Sequence, residues 1–146
     1  MDKKTRSRVM SRIRAKDTRP EIIVRSFLHR RGFRFRKHSE RVPGKPDLIL
    51  PKYSVVIFVH GCFWHQHEGC RYSVIPKSNR EYWDKKLLRN QQRDQINIDE
   101  ALKKNWRVLI IWECGLKDEP EALDFLPAWI MGSEDYREWP DLRKCT

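Results

Sequence analysis

The chain has 146 residues, 39% of them apolar and 35% charged, with a formal net charge of +11 and a pI near 9.8. That length suits a single domain, expected over residues 1–146, with enough material for a packed core. No apolar run approaches the roughly eighteen residues of a membrane span, and MDKKTRSRVM lacks an apolar signal core, so the expectation is a cytoplasmic protein with no membrane association.

Residues 3–16 read as a basic helix in which Met10 and Ile13 are apolar spots among Arg6, Arg8, Arg12, Arg14 and Lys16. Asp17 or Thr18 caps a second helix with Pro20 in its first turn; Ile22, Ile23, Phe27 and Leu28 give its apolar spacing up to Gly32. Phe33 and Phe35 alternate with arginines as in a short strand, and PGKP (43–46) turns the chain. DLIL and YSVVIFV read as consecutive strands, the second apolar enough to be buried on both faces. A long helix covers about 78–104, WRVLIIW (106–112) is a further buried strand, and EPEALDFLPAWIMG is a last helix broken near Pro127. The order is that of an α/β protein, one mixed sheet flanked by helices. Residues 1–17 form the basic N-terminal part, and 118–146 a C-terminal helix and tail.

The positive charge is concentrated in residues 1–45, and the stretch after Lys117 is acidic until the last few positions. This asymmetry points to a polyanion held on one face. A merely solvated basic surface is the plainer alternative. Six tryptophans count against it, because nucleic acid rewards stacking as well as charge.

The segment HGCFWHQHEGCRY (60–72) crowds histidines, cysteines and aromatic rings together. In a reducing compartment clustered Cys and His point to metal rather than to disulfides. Cys62, His67 and Cys70, joined by Cys114 from the end of a later strand, make a closed tetrahedral set suited to a structural zinc. His65 is within loop reach of the same position, and buried free thiols are the rival explanation. Cys145 has no ligand-type neighbours and reads as a bystander.

Asp47 stands at the head of an apolar strand, where a carboxylate can take a hard cation such as Mg²⁺ for phosphodiester cleavage. A turn-forming aspartate is the commoner use of such a residue. The neighbouring strand SVVIFVHG carries no second acid or lysine, leaving the Val59 carbonyl and His60, whose imidazole suits general acid–base work. On the long helix Trp83, Leu87, Ile98 and Ala101 define an apolar stripe that also includes Asn90 and Asp94. A carboxylate on that stripe needs a partner, either a histidine to orient or a backbone segment to cap. Glu21 is an outer-sphere acid by context alone.

Taken together, PGKPD, VHGCFWHQHEGC, REYW, QRD and VLIIWEC resemble the very-short-patch mismatch repair endonuclease family, in order over about residues 3–116. The resemblance implies a fold like that of type II restriction endonucleases, with a structural zinc site added. It implies Mg²⁺-dependent nicking of double-stranded DNA 5′ of the thymine in T:G mismatches left by 5-methylcytosine deamination. By the same resemblance Asp47 and the Val59 carbonyl hold Mg²⁺, His65 is the catalytic histidine oriented by Asp94, His60 is a further active-site histidine, and Glu21 lies near the metal's outer shell. Cys62, His67, Cys70 and Cys114 fall on the zinc positions. Phe63, Trp64 and Trp83 match rings inserted beside the mismatch, and Met10 with Ile13 matches an opposing wedge. The core-packing alternative for those rings is weakened by their place between metal ligands. Val59 occupies a strand-end position where a threonine can occur in the family, a change that leaves a backbone carbonyl ligand intact. The family further implies a nucleoid-associated bacterial monomer acting beside a cytosine-5 methyltransferase and general mismatch-repair proteins. A non-catalytic, zinc-stabilised binder of distorted duplex and a restriction-type enzyme cutting intact sites are the alternatives.

Overall fold

The computed structural model describes residues 18–140. The expected helix 3–16, with Met10, Ile13, Arg6, Arg8, Arg12 and Arg14, lies outside the described residues, as does Cys145.

Helix α1 spans Arg19–Arg30. It begins where expected: the Glu21 amide donates to Thr18 Oγ1 at 3.4 Å, and Pro20 sits in the first turn, where its missing N–H costs nothing. The buried face differs from the expected one. Glu21, Val24 and Leu28 face inward, whereas Ile22 is about half exposed and Ile23 and Phe27 pack at the margin. A helix tilted onto a sheet selected the 21–24–28 stripe, and with it drew an acid into the interior.

Five strands form one sheet in the order β1-β2-β3-β4-β5: β1 Arg36–Lys37, β2 Leu48–Leu50, β3 Val55–His60, β4 Arg107–Trp112 and β5 Tyr136–Trp139. Strand β2 runs antiparallel to both β1 and β3, with Leu48 opposite Ile57, and β3, β4 and β5 are mutually parallel, with Val59 opposite Ile111. The strand expected over Phe33–Phe35 is displaced to Arg36–Lys37; both phenylalanines pack against the core from irregular chain instead. Strand β5 was not anticipated, because YREW has too few apolar residues to announce a strand.

Alternation along the strands feeds two apolar layers. Leu48, Leu50, Val55, Ile57, Leu109 and Ile111 meet α1 and the C-terminal helices on one side. Ile49, Val56, Phe58, Val108 and Ile110 meet Ile98 and Ala101 of the long helix α2, Arg80–Lys103, on the other. The helix expected over EPEALDFLPAWIMG is divided just before Pro127, as expected: a 3-10 stretch (Pro120–Phe125) gives way to α4 (Leu126–Met131), and a short helix that was not expected, α3 (Glu113–Asp118), precedes them. Pro127 lies in the first turn of α4, where proline is tolerated, so it starts a helix. Arg107 at the head of β4 closes the other end of α4, donating to the Trp129 and Ile130 carbonyls at 2.6 and 2.8 Å.

Candidate active site

The parallel strands β3 and β4 end together, His60 opposite Trp112, and the chain leaves each strand straight into chemistry-bearing residues. Ligands gather at such carboxyl ends in open α/β sheets. Here a cleft of about 830 Å³ opens, lined among others by Glu21, Asp47, His60, Trp64, His65 and Asp94.

Below the cleft lies the thiolate cluster. Cys62, His67, Cys70 and Cys114 are all buried, and their ligand atoms lie within 4.8 Å of one another. His67 Nδ1 is 3.8 Å from Cys62 Sγ and 3.5 Å from Cys114 Sγ. A tetrahedral ion with bonds of about 2.3 Å to sulfur and about 2.0 Å to nitrogen has edges of roughly 3.5–3.8 Å, so the spacing fits. The hydrogen bond from Cys114 draws the Cys62 thiol down towards thiolate, and that bond, with burial, pushes Cys114 up. A thiol that ionises readily suits a divalent ion bound through sulfur. This group can hold a metal ion such as zinc. It also answers the choice between imidazoles: His67 joins the cysteines and His65 turns the other way. The loop is wound tightly enough to send them apart, with the His67 amide donating to the Cys62 carbonyl at 2.9 Å and Gln66 left-handed between them at φ +50°.

His65 Nδ1 lies 2.6 Å from Asp94 Oδ2. The carboxylate on the α2 stripe is therefore the partner of an imidazole, while Asn90, one turn earlier, takes the capping role and donates to the Trp64 carbonyl at 3.1 Å. Two side chains of one helix grip the loop. With Nδ1 engaged, Nε2 is the His65 nitrogen able to take or give a proton. His60 stacks on His65 with ring centroids 3.8 Å apart and planes 4° from parallel. Burial, followed by the neighbouring His65 and His67, holds the His60 imidazole well below the ordinary histidine range. A neutral ring can lie face to face with a charged one without repulsion. Its Nδ1 has no hydrogen-bond partner among the described residues.

Trp112 was not singled out by sequence. Its ring stacks on His67 at 4.2 Å and meets His60 edge-on at 5.1 Å, so an aromatic column joins the thiolate cluster to the cleft. Glu138 on the unanticipated β5 accepts its indole N–H at 3.2 Å.

Across the cleft, Asp47 Oδ2 accepts the Val59 amide at 2.6 Å. Burial pushes the Asp47 carboxyl up from 3.8 to about 7 against that hydrogen bond, and the charge and hydrogen bond of Glu21 add to the rise. Two carboxyl groups facing each other in a partly buried position favour a shared proton or a nearby cation. Glu21 also receives Arg25 at 2.9 Å and His38 at 3.2 Å. His38 is a site residue the sequence did not disclose; a histidine after alternating arginines carries no signal until β1 pairs with β2.

Phe63, Trp64 and Trp83 form one edge-to-face cluster, with Phe63 5.1 Å from Trp64 and 5.3 Å from Trp83. Phe63 and Trp64 are half-buried at the cleft wall, whereas Trp83 lies beneath them and is buried.

Hydrolysis of a phosphodiester asks for stabilised charge on oxygen and a proton carrier within reach. A strongly basic chain offering both in one cleft has the equipment a nuclease needs. A sequence model for the DNA mismatch endonuclease Vsr matches residues 1–71. The chain is 39% identical over 136 residues to the DNA mismatch endonuclease Vsr of Escherichia coli K12, covering 90% of this chain and 86% of that protein. It is 47% identical over 114 residues to the type II nicking enzyme V.NmeAIP of Neisseria meningitidis, covering 78% and 81%. A like-named enzyme of Xanthomonas oryzae, V.XorIIP, is 47% identical over 110 residues, covering 75% and 80%. The chain belongs to the DNA mismatch endonuclease Vsr family and is a DNA endonuclease.

Proposed function

We propose that this chain nicks double-stranded DNA on the 5′ side of the thymine in a T:G mismatch, using Mg²⁺ held by Asp47 and the Val59 carbonyl. The observation that carries the reading is the 2.6 Å bond between His65 and Asp94, facing the same cleft as the half-buried Asp47. Asp94 fixes the imidazole tautomer, His65 Nε2 moves the proton at the attacked phosphate, and neutral His60 supports the ring from behind. Bound Mg²⁺ supplies electrostatic stabilisation of the phosphoryl oxygens. The pair of Asp47 and Glu21 suits a hard cation, because ionising both without one is costly.

Zinc in the Cys62, His67, Cys70, Cys114 set is structural, since four protein ligands leave no open position. It pins the loop so that Phe63 and Trp64, backed by Trp83, enter the duplex beside the mismatch. Unstacking costs a few kcal/mol and least at a weak pair, so a wedge reads pairing strength. Met10 and Ile13 oppose it, and Arg6, Arg8, Arg12 and Arg14 neutralise phosphates. The single mixed sheet agrees with a restriction-endonuclease-like fold, the whole chain acting as one domain and as a monomer. No helix among the described residues is long and apolar enough to cross a membrane, in keeping with a cytoplasmic, nucleoid-associated enzyme in contact with general mismatch-repair proteins.

The test is strand-resolved cleavage of T:G-mismatched and fully matched duplexes with Mg²⁺. Nicking confined to the thymine strand of the mismatch is expected; equal cutting of the matched duplex would replace the reading with a restriction-type activity.

A further inference from the structure

The group of Glu21, His38 and Asp47 contains more than the proposed function uses. Its ligand atoms, two carboxylate oxygens and an imidazole nitrogen, lie within 4.8 Å of one another. His38 is held there by backbone as well as side chain. Its amide donates to the Asp47 carbonyl at 3.2 Å, extending the pairing of β1 with β2 by one residue. At φ +47° it is left-handed, a conformation unfavourable for a residue with a Cβ. The turn delivers Nε2 to 3.2 Å from Glu21 Oε2. Neighbouring ligands of an octahedral ion with bonds of about 2.1–2.2 Å stand roughly 3.0–3.1 Å apart, so this pair has the spacing of one octahedral edge.

We propose that His38 is a direct ligand of the cation in the cleft and biases that site towards Mn²⁺ over Mg²⁺. The inference rests on reading Asp47 as the cation's carboxylate. Mg²⁺ favours oxygen from carboxylate, carbonyl and water, whereas imidazole nitrogen adds affinity for first-row transition ions. Arg25 touches the same edge, 2.9 Å from Glu21 Oε2 and 3.4 Å from His38 Nε2. A guanidinium has no lone pair to give a metal, so it balances carboxylate charge and leaves the ligand role to the imidazole. The competing role for His38 is to clamp Glu21 together with Arg25. That role is blind to which ion is bound.

The difference can be measured without DNA on zinc-replete protein. Mn²⁺ is titrated by the loss of its free electron paramagnetic resonance signal, with Mg²⁺ as competitor, for wild type, His38→Gln, His38→Ala and Asp47→Asn. Wild type is expected to bind Mn²⁺ more tightly than Mg²⁺ and to show nitrogen hyperfine modulation in the spin echo of bound Mn²⁺. Both His38 variants are expected to lose that modulation and about tenfold in Mn²⁺ affinity, while Mg²⁺ affinity changes less than about threefold. Wild-type Mn²⁺ without nitrogen modulation, or variants that weaken both ions equally, would overturn the proposal in favour of the clamp. Asp47→Asn binding Mn²⁺ as wild type does would be a separate failure, removing the cation site itself.

Discussion

Asp47 stores an electrostatic cost that can be read directly as stability. In Mg²⁺-free buffer its carboxyl, raised from 3.8 to about 7 chiefly by burial, must stay protonated or ionise in a partly buried position facing Glu21. Between those two values the folded state holds a proton the unfolded chain has released, so stability falls as pH rises through that window and levels off above about pH 7. Asp47→Asn removes the titration and keeps an oxygen for the Val59 amide. The variant should therefore exceed wild type by roughly 1.7 kcal/mol near pH 5 and roughly 4 kcal/mol near pH 8, while losing cleavage. Urea unfolding at both pH values, in buffer stripped of Mg²⁺ but without a chelator that would extract zinc, reads the difference. Added Mg²⁺ should stabilise wild type at the higher pH and leave the variant unmoved. An advantage for Asp47→Asn that does not grow with pH would refute the reasoning. A catalytic group that destabilises its own fold is a familiar compromise between stability and activity.

Other expectations follow from the same geometry. His65→Ala and Asp94→Asn should each reduce nicking of a T:G duplex by about 10²–10⁴-fold with little change in DNA affinity by fluorescence anisotropy; undiminished nicking by either would remove that residue from the reaction. Elemental analysis of purified protein should find near-stoichiometric zinc, and Cys114→Ser should lower both zinc content and thermal midpoint; a zinc-free, equally stable protein would rule the ion out. Gly44→Ala should destabilise by about 1–3 kcal/mol, since φ is +82° there and the new Cβ would stand 2.5 Å from Asn97 Cβ; wild-type denaturant stability would contradict the packing. Trp64→Ala should keep the fold by circular dichroism yet narrow the ratio of mismatched to matched cleavage; an unchanged ratio would take the ring out of mismatch sensing.

What the sequence disclosed and what it hid divide along physical lines. The long helix was legible because Trp83, Leu87, Ile98 and Ala101 recur at helical spacing and are all buried. Strands β3 and β4 were legible because buried parallel strands are written as unbroken apolar runs. Strand β5 escaped because edge strands tolerate polar residues, and the short helix Glu113–Asp118 escaped because six residues are too few to show a helical period. Asp94 was flagged as a misplaced charge before its partner was known. His38 and Trp112 carried no such mark, since their roles come from strand pairing and from a neighbour's ring plane. Ile22 shows the limit of periodicity: the more apolar residues Ile22, Ile23 and Phe27 stay at the surface or margin, while Glu21, Val24 and Leu28 turn inward.

The order of residues along the loop after β3 has one more consequence. Anchoring positions 62 and 67 bracket the working positions 63, 64 and 65, so the loop's wedge rings and its imidazole are suspended between two fixed points. Such a span cannot relax piecemeal. Extracting the ion would slacken wedge and imidazole in one event, and the enzyme would fall silent while the sheet beneath it still stood.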